Sequence, residues 1–502
     1  MGKTGNIKDG RQHLDSIRDE RTILLEGKRV NDVANHPAFR QSAQTVAGLY
    51  DFQAQNPELM TFDTGNGRRA NRAWQLPRSY AELVERRKAL TAWSEQHVGF
   101  MGRSPDHVAS CISAMAMRAD VFEAHGKGRG QAVLDYYRYA RDNDLYLAYV
   151  IIDPQADRSK ATGEQADPFV TAAICDEDAE GITIKGAKML GTSAVFANEL
   201  LVASLRPVRD GDDKYAFTAM VPIGAKGLKL LSRRSYEQGA VSKFDYPLSS
   251  AYDENDAIVY FDEVKVPWDK VFVHRNPAMS FAQFHTAPAH VYQNYQAQIR
   301  LAVKLRYLTG LARRVCETIG TIDFPQVKEQ LGVLAAQAGM IDGMVHAMEA
   351  KGRMEGGEGA LDQGEFFIPD RATLYSANVL AQRLYPQVIE SIRDLAGGGM
   401  IMLPSSEQDF ANPEIAALIG KTQHSPATDA KGRVKTFKLA WDSVGSEFAS
   451  RHTQYEMFYS GPKIFTSGHQ YRTYDWNDAT RLVDGLLASY DLPAAQASGK
   501  AA

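Results

Sequence analysis

The chain has 502 residues, and 57 Lys and Arg against 61 Asp and Glu give a formal net charge of −4. Its 44% hydrophobic and 24% charged residues are typical of a globular protein of about three domains, which excludes a disordered or collagen-like chain. The mildly acidic charge also predicts that nucleic acid is not a partner.

Apolar runs in the sequence are short. The longest plain run, Leu145 to Ile152, is far below the about 20 residues of a membrane helix, so we expect no membrane span. The N-terminus lacks the apolar core of a secretory signal. The cysteines Cys111, Cys175 and Cys316 show no metal-ligand spacing, so we expect no metal and a cytoplasmic location.

The predicted elements fall into three parts. Residues 1–145 have mainly helical periodicity, as in 79–96, where apolar residues recur on one face behind a capping serine. From 146 to 275, short β-prone runs alternate with Gly, Pro and Asp, which predicts an all-β unit with a hairpin turn at 178–181. Helical periodicity returns from 276 to 470.

That third part contains four long helical segments, which predict a bundle. They span 297–317, 324–350, 370–395 and 436–458. Residues 471–502 are predicted to be a C-terminal tail, and its small, polar end from 488 onward is expected to fray.

Common cofactor motifs are missing from the sequence. No P-loop pattern occurs, and Gly126, Gly128 and Gly130 have the wrong spacing for a dinucleotide fingerprint and follow a helix. The acidic string at 253–256 is compatible with a cation loop or with a solvated turn between strands, and we favour the turn.

Several longer strings resemble the 4-hydroxyphenylacetate 3-monooxygenase oxygenase family. They are MGRSPDH at 101–107, DPQADRS at 153–159, FDYPLSS at 244–250, DENDAIVYFDEVKVPWDKVF at 253–272 and AWDSVGSEFASRHTQYEMFY at 440–459, and DTGNG at 63–67 also fits. The resemblance implies an α+β, acyl-CoA dehydrogenase-like fold. Its parts are an N-terminal helical domain, a middle β-barrel domain that carries the flavin loop, and a C-terminal four-helix bundle that binds flavin and forms a homotetramer.

The resemblance also implies the chemistry. Members of this family are the large components of two-component aromatic hydroxylases. A separate NAD(P)H-dependent reductase supplies FADH2, O2 adds to the flavin as a C4a-hydroperoxide, and one oxygen atom is transferred ortho to a phenol hydroxyl. FAD rather than FMN is implied only by the resemblance, and the sequence names neither the phenol nor the reductase.

The family pattern places substrate-binding residues in three segments. Arg103 corresponds to the arginine beside the phenol, where a positive charge favours the phenolate. His107 stands where the family has tyrosine, and Tyr149 where it has histidine, so we expect the two groups to have exchanged places, with His107 as the base. Ser204 and Leu205 correspond to contacts with the far end of the substrate, and the leucine indicates a less polar tail than a carboxylate.

The same pattern implies flavin contacts in the β domain and the bundle. Thr192 corresponds to a threonine near flavin N5. The remaining implied contacts are Gln155, Ala156, Asp157 and Arg158 in the β domain, and Ser446, Glu447, Phe448 and Ala449 in the bundle. The glycines at 397–399 resemble a turn that meets the ADP part of FAD, but they also fit a helix end.

Other functions stay open at this point. An acyl-CoA dehydrogenase would need a catalytic carboxylate that we cannot locate. A 4-hydroxybutyryl-CoA dehydratase would need cysteine ligands for an iron–sulfur cluster, and the cysteine spacing differs. The base histidine of chlorophenol-type relatives aligns near Asn294 or Gln296, so it is not evident here. A flavin-binding protein without activity is the non-enzymatic alternative.

Overall fold

A computed structural model of the protein describes residues 7–65, 67–205, 208–209, 211–357, 359 and 361–492. Asn66 of the DTGNG string and the part of the predicted frayed end from 493 onward lie outside the described residues.

The first part of the chain is mainly helical, as predicted, and it also contributes strands. Its helices are α1 (Gly10–Ser16), α2 (Arg40–Gln55), α3 (Pro57–Met60), α4 (Tyr80–Gln96), α5 (Asp106–Met117), α6 (Ala119–His125) and α7 (Arg129–Asp142). Its strands are β1 (Thr22–Leu25), β2 (Lys28–Val30), β3 (Thr61–Gly65) and β4 (Arg68–Asn71). Helix α5 is buried along its whole length, because its residues are nearly all small or apolar.

The middle part forms two sheets. Its strands are β5 (Leu147–Val150), β6 (Ala173–Glu177), β7 (Gly181–Lys188), β8 (Glu199–Ala203), β9 (Thr218–Pro222), β10 (Leu228–Ser232), β11 (Ala257–Pro267) and β12 (Val271–Val273), with a short helix α8 (Tyr236–Gly239). Among the described residues, one sheet has the order β2-β1-β10-β11-β7-β6 and the other β12-β9-β8-β5. The two sheets share one apolar core. The hairpin predicted at 178–181 joins the antiparallel strands β6 and β7.

Strands β1 and β2 join the first sheet, although they lie in the segment predicted to be mainly helical. Strand β1 pairs in parallel with β10, about 200 residues away in the chain. Strand β2 continues the sheet edge by an antiparallel pairing.

The last part is the predicted helical bundle. Its helices are α9 (Pro277–His285), α10 (Ala289–Ile319), α11 (Pro325–Ala350), α12 (Arg371–Ala396), α13 (Pro413–Thr422), α14 (Ala430–Val444), α15 (Glu447–Phe458), α16 (Lys463–Thr473) and α17 (Trp476–Leu487). A hairpin of β13 (Arg353–Glu355) and β14 (Phe366–Ile368) links α11 and α12.

Two helix predictions need correction. The segment predicted as one helix from 436 to 458 is two helices, α14 and α15, separated at Gly445 and recapped by Ser446, whose hydroxyl accepts from the amide of Ala449 at 3.1 Å. The segment predicted as a tail from 471 contains α17.

By length and composition, one described helix, α11, is apolar enough to cross a membrane, although no such span was expected from the sequence. About a fifth (22%) of its apolar window is buried, and it packs against α10 and α12.

Candidate active site

The segment 101–107 forms a buried turn that leads into α5. Gly102 allows Tyr455 on α15 to approach this turn closely, because a Cβ at position 102 would overlap the Tyr455 hydroxyl. The carbonyl of Arg103 accepts from the hydroxyl of Tyr146 at 2.6 Å, and its amide donates to Glu254. The backbone of Arg103 is therefore fixed from two sides.

The three predicted phenol-binding residues lie together. The guanidinium of Arg103 lies 5.0 Å from the ring centre of Tyr149 and 5.2 Å from that of Tyr455. The ring of His107 stacks on that of Tyr149 with centroids 5.5 Å apart. Among the described residues, Nη1 of Arg103 and Nε2 of His107 are buried and have no hydrogen-bond partner. Both atoms therefore have unused hydrogen-bonding capacity.

The environment sets the charge of each group. Burial, reinforced by the charge of Arg103, holds the pKa of His107 well below its usual value, so the imidazole is neutral at neutral pH. Burial alone would lower the pKa of Arg103, but Tyr149, Tyr455 and Glu254 raise it overall, so the guanidinium stays charged. Burial raises the pKa of Tyr149, which stays a phenol. This cluster of Arg103, His107 and Tyr149 thus offers one cation, one neutral imidazole and one phenol.

The acidic string at 253–256 is not a solvated turn, and that prediction is wrong. Asp253, Glu254 and Asn255 are buried. Asp256 accepts from Arg451 of α15 at 2.6 and 3.0 Å and from Arg233 at 2.8 Å. Paired arginines offset the cost of burying these carboxylates.

Thr192 belongs to the same network. Its hydroxyl donates to Asp256 at 2.6 Å. Burial would raise the pKa of Asp256, but Arg451 and Arg233 lower it strongly, so Asp256 is a carboxylate that only accepts. The Thr192 oxygen therefore keeps only lone pairs for a ligand, which suits an N–H donor such as N5 of a reduced flavin.

The predicted flavin loop follows β5 and is largely exposed. Asp157 folds it locally by accepting from the amide and hydroxyl of Ser159 at 3.1 and 2.6 Å. Its start is fixed by a buried ion pair of 2.6 Å between Asp153 and Lys188. Gln155, Ala156 and Arg158 are exposed, so their backbone and side chains are accessible to a ligand.

The other predicted flavin segment is the start of α15. Ser446 caps this helix, and Glu447 is exposed and pairs with Arg234 at 3.2 Å. Phe448 and Ala449 are buried in the bundle core. Only the helix N-terminus and Glu447 therefore face outward, and α15 is joined to Thr192 through Arg451 and Asp256.

The residues predicted to contact the far end of the substrate lie near the flavin loop. Strands β5 and β8 are parallel, with Tyr149 opposite Leu201. The chain therefore leaves both strands at the same end of the sheet, toward the 155–158 loop after β5 and toward Ser204 after β8. The hydroxyl of Ser204 donates to the carbonyl of Tyr215. The Ser204 oxygen therefore keeps only lone pairs, which repel a carboxylate. The neighbouring Leu205 is exposed.

Three further expectations can be placed. Gly397–Met400 forms a short 3₁₀ turn at the end of α12, so its contact with the ADP part of FAD stays a prediction. Gln296, one of the two positions aligned with the base histidine of chlorophenol-type relatives, contacts His107 instead. Among the described residues, no group of three or more His, Cys, Asp or Glu is placed to hold a metal.

Sequence reasoning missed the residues that support this pocket. Tyr455 covers Arg103, Gln296 contacts His107, and Arg451 links the acidic string to α15. Tyr455 and Arg451 lie in the string at 440–459, which could have pointed to them. Gln296 on α10 was considered only as a position aligned with a base histidine of relatives, and no local pattern indicated its contact with His107.

Comparison with known proteins identifies the family to which this fold belongs. Family models described as 4-hydroxyphenylacetate 3-hydroxylase N-terminal and C-terminal match residues 9–273 and 281–488. The 4-hydroxyphenylacetate 3-monooxygenase oxygenase component of Geobacillus sp. (strain PA-9) is 31% identical, over 91% of this chain and 92% of that protein. The 4-nitrophenol 2-monooxygenase oxygenase component of a Rhodococcus species is 35% identical, over 90% and 86%.

A solved structure agrees with these relatives. The crystal structure of the oxygenase component of 4-hydroxyphenylacetate 3-monooxygenase, complexed with FAD and 4-hydroxyphenylacetate, superposes with a TM-score of 0.89 at 29% identity, covering 96% of this chain and 98% of that one.

The fold and the relatives together show the class predicted from the sequence, a flavin-dependent aromatic monooxygenase with an acyl-CoA dehydrogenase-like fold. The chain belongs to the 4-hydroxyphenylacetate 3-hydroxylase family. This membership favours hydroxylation over the acyl-CoA dehydrogenase and dehydratase alternatives.

Proposed function

We propose that the chain is the oxygenase component of a two-component aromatic hydroxylase. It takes reduced FAD from a separate NAD(P)H-dependent reductase and uses O2 to hydroxylate a phenol ortho to its hydroxyl. The observation that carries this proposal is the pair of unsatisfied buried atoms, Arg103 Nη1 and His107 Nε2, beside the ring of Tyr149.

Buried polar atoms without partners are costly in a folded protein, at about 1–3 kcal/mol each. A phenol hydroxyl satisfies both atoms at once, because its oxygen accepts from Arg103 and its proton is donated to His107. The aromatic ring of Tyr149 supplies an apolar surface beside the same position.

The residues of the pocket also promote the reaction. When bound, reduced FAD would activate O2 so that one oxygen atom of O2 can be transferred to the phenol, and the family resemblance implies the C4a-hydroperoxide route. Arg103 draws negative charge onto the phenol oxygen, which makes the ortho carbon electron-rich. His107 accepts the proton of the phenol hydroxyl as that hydroxyl becomes more acidic during the reaction.

The residues at the flavin position fit reduced FAD. The Thr192 oxygen is oriented as an acceptor for an N–H group. The exposed 155–158 loop and the N-terminus of α15 offer backbone donors, and a helix N-terminus favours negative charge. Arg158 is an exposed residue of this loop, and its positive charge suits a phosphate or the anionic reduced flavin.

The substrate class follows from the far end of the pocket. Because Ser204 donates to Tyr215, it has no proton for a carboxylate, and Leu205 adds apolar surface. A phenol with an uncharged or weakly polar para substituent fits better than 4-hydroxyphenylacetate.

We further propose a cytoplasmic homotetramer. An exposed apolar face on α17, made of Leu482, Val483, Leu486 and Leu487, supports association with another copy.

The test is a stopped-flow reaction of the anaerobic protein and FADH2 with oxygenated buffer, with and without a panel of phenols. We expect a transient flavin absorbance before oxidised FAD appears, and a catechol from at least one phenol. Direct formation of oxidised FAD and H2O2 with every phenol would contradict the proposal. An acyl-CoA substrate panel would then be the next assay.

A further inference from the structure

Four buried polar side chains form one hydrogen-bonded chain behind the pocket. Gln296 of α10 lies between Asp106 and His107, the first two residues of α5. Its Nε2 donates to Oδ1 of Asp106 at 3.1 Å, and its Oε1 lies 3.0 Å from Nδ1 of His107. The hydroxyl of Ser104 donates to the same Asp106 oxygen at 2.5 Å.

This chain fixes the orientation of the Gln296 amide. Oδ1 of Asp106 accepts from the hydroxyl of Ser104 and from Nε2 of Gln296, so the NH2 group of Gln296 faces this oxygen. The same orientation holds if Asp106 is protonated on Oδ2, which has no partner among the described residues. The carbonyl oxygen of Gln296 then faces His107.

The amide orientation fixes the tautomer of His107. A carbonyl oxygen only accepts, so Nδ1 of His107 must carry the ring proton. Burial and the charge of Arg103 keep the imidazole neutral, so it has a single proton. Nε2 therefore presents a lone pair, and this is the buried atom without a partner.

We propose that Gln296 is a positioning residue that holds His107 in the Nδ1–H tautomer, so that Nε2 accepts the proton of the substrate hydroxyl. A tyrosine at position 107 needs no such partner, because its hydroxyl rotates to donate or accept. Gln296 and His107 therefore form a functional pair in this chain. The kinetic part of this inference rests on the proposed function, whereas the tautomer itself does not.

The first test reads the tautomer directly. Protein labelled with ¹⁵N-histidine is studied by solid-state NMR, and the His107 signals are identified as those lost in His107→Tyr. We expect a protonated Nδ1 and a bare Nε2 in the wild type, and loss of this preference in Gln296→Met. A protonated Nε2 in the wild type would overturn the inference, whether or not the protein hydroxylates any phenol.

The second test uses a double-mutant cycle. Gln296→Met is expected to lower kcat/KM about tenfold in the wild type, and less than about twofold in the His107→Tyr background. Equal losses in both backgrounds would show that Gln296 does not act through His107. If the tautomer is as stated but no phenol is hydroxylated, the proposed function fails and the tautomer stands.

The third test is a pH profile with a matched control. Gln296→Glu places a negative charge beside Nδ1 and raises the pKa of His107. As the pH is lowered, we therefore expect this variant to lose activity at a higher pH than the wild type does. Asn294→Leu on the same helix is the control, because Asn294 is buried but bonds to His290 and Asn378. An unmoved acid limb in Gln296→Glu, or an equal shift in Asn294→Leu, would contradict the inference.

Discussion

Replacing Arg103 by methionine tests the proposed pocket most sharply, because the change separates function from stability. In the free protein, Nη1 of Arg103 is buried and has no hydrogen-bond partner among the described residues, and the guanidinium stacks on Tyr149 and Tyr455. Removing it therefore changes the free energy of unfolding by only about 1 kcal/mol.

The cost to catalysis is larger. A hydrogen bond from a charged donor contributes about 1.5–3 kcal/mol, which corresponds to a loss of about 10- to 150-fold in kcat/KM for the phenol. The assay is catechol formation by chromatography, together with thermal unfolding and FAD binding, which should both stay close to wild type.

Arg86 is the matched control. It is also fully buried, and it lies 5.2 Å from the ring centre of Tyr292. It donates to the carbonyl of Ala73 at 3.0 Å and to Ser110 at 2.6 Å. Arg86→Met should therefore lower the unfolding temperature and leave kcat/KM of the folded protein near wild type. Full activity of Arg103→Met, or equal activity losses in both variants, would refute the assigned role of Arg103.

Three further predictions test other parts of the site. His107→Tyr combined with Tyr149→His should recover more activity than either single variant, because the stacked rings exchange roles. Single effects that merely multiply in the double variant would contradict this. Thr192→Val should lower the yield of catechol per FADH2 about fivefold and raise the yield of H2O2, because a hydrogen bond of about 1 kcal/mol to the flavin is lost. An unchanged ratio of catechol to H2O2 would contradict a contact between Thr192 and the flavin. Burial alone would raise the pKa of Glu456, but Arg300 lowers it from 4.5 to about 2. The ion pair therefore stabilises the fold fully above about pH 4.5, and this stabilisation is lost as the pH falls to about 2. Glu456→Gln should lower the free energy of unfolding by about 3–5 kcal/mol at neutral pH and make unfolding less dependent on acid, as measured by circular dichroism. An acid unfolding transition identical to that of the wild type would contradict a stabilising role of the ion pair.

The sequence predicted those strands and helices that are determined by the residues of their own segment. The strands from β5 to β11 carry β-prone residues between turn residues, and the long bundle helices carry helical periodicity. Strands β1 and β2 were missed, because β1 is stabilised by parallel pairing with β10 rather than by its own short sequence. The break at Gly445 was missed because apolar residues continue on both sides of it.

The site was predictable only through the family strings. Composition alone does not distinguish Arg103 or His107 from ordinary core residues. The acidic string at 253–256 was misjudged, because its arginine partners, Arg233 and Arg451, are distant in sequence. The contact between Gln296 and His107 was missed for the same reason, since 189 positions separate the two residues. Buried polar pairs of this kind are set by tertiary packing rather than by local sequence.

The most direct measurement of the central claim is oxygen labelling. The protein is mixed with FADH2, ¹⁸O2 and the best phenol of the panel, and the product is examined by mass spectrometry and NMR. We predict a catechol with one ¹⁸O atom ortho to the original hydroxyl, and little such product from Arg103→Met. A product without the label, or H2O2 alone with every phenol, would contradict the assignment as an aromatic monooxygenase.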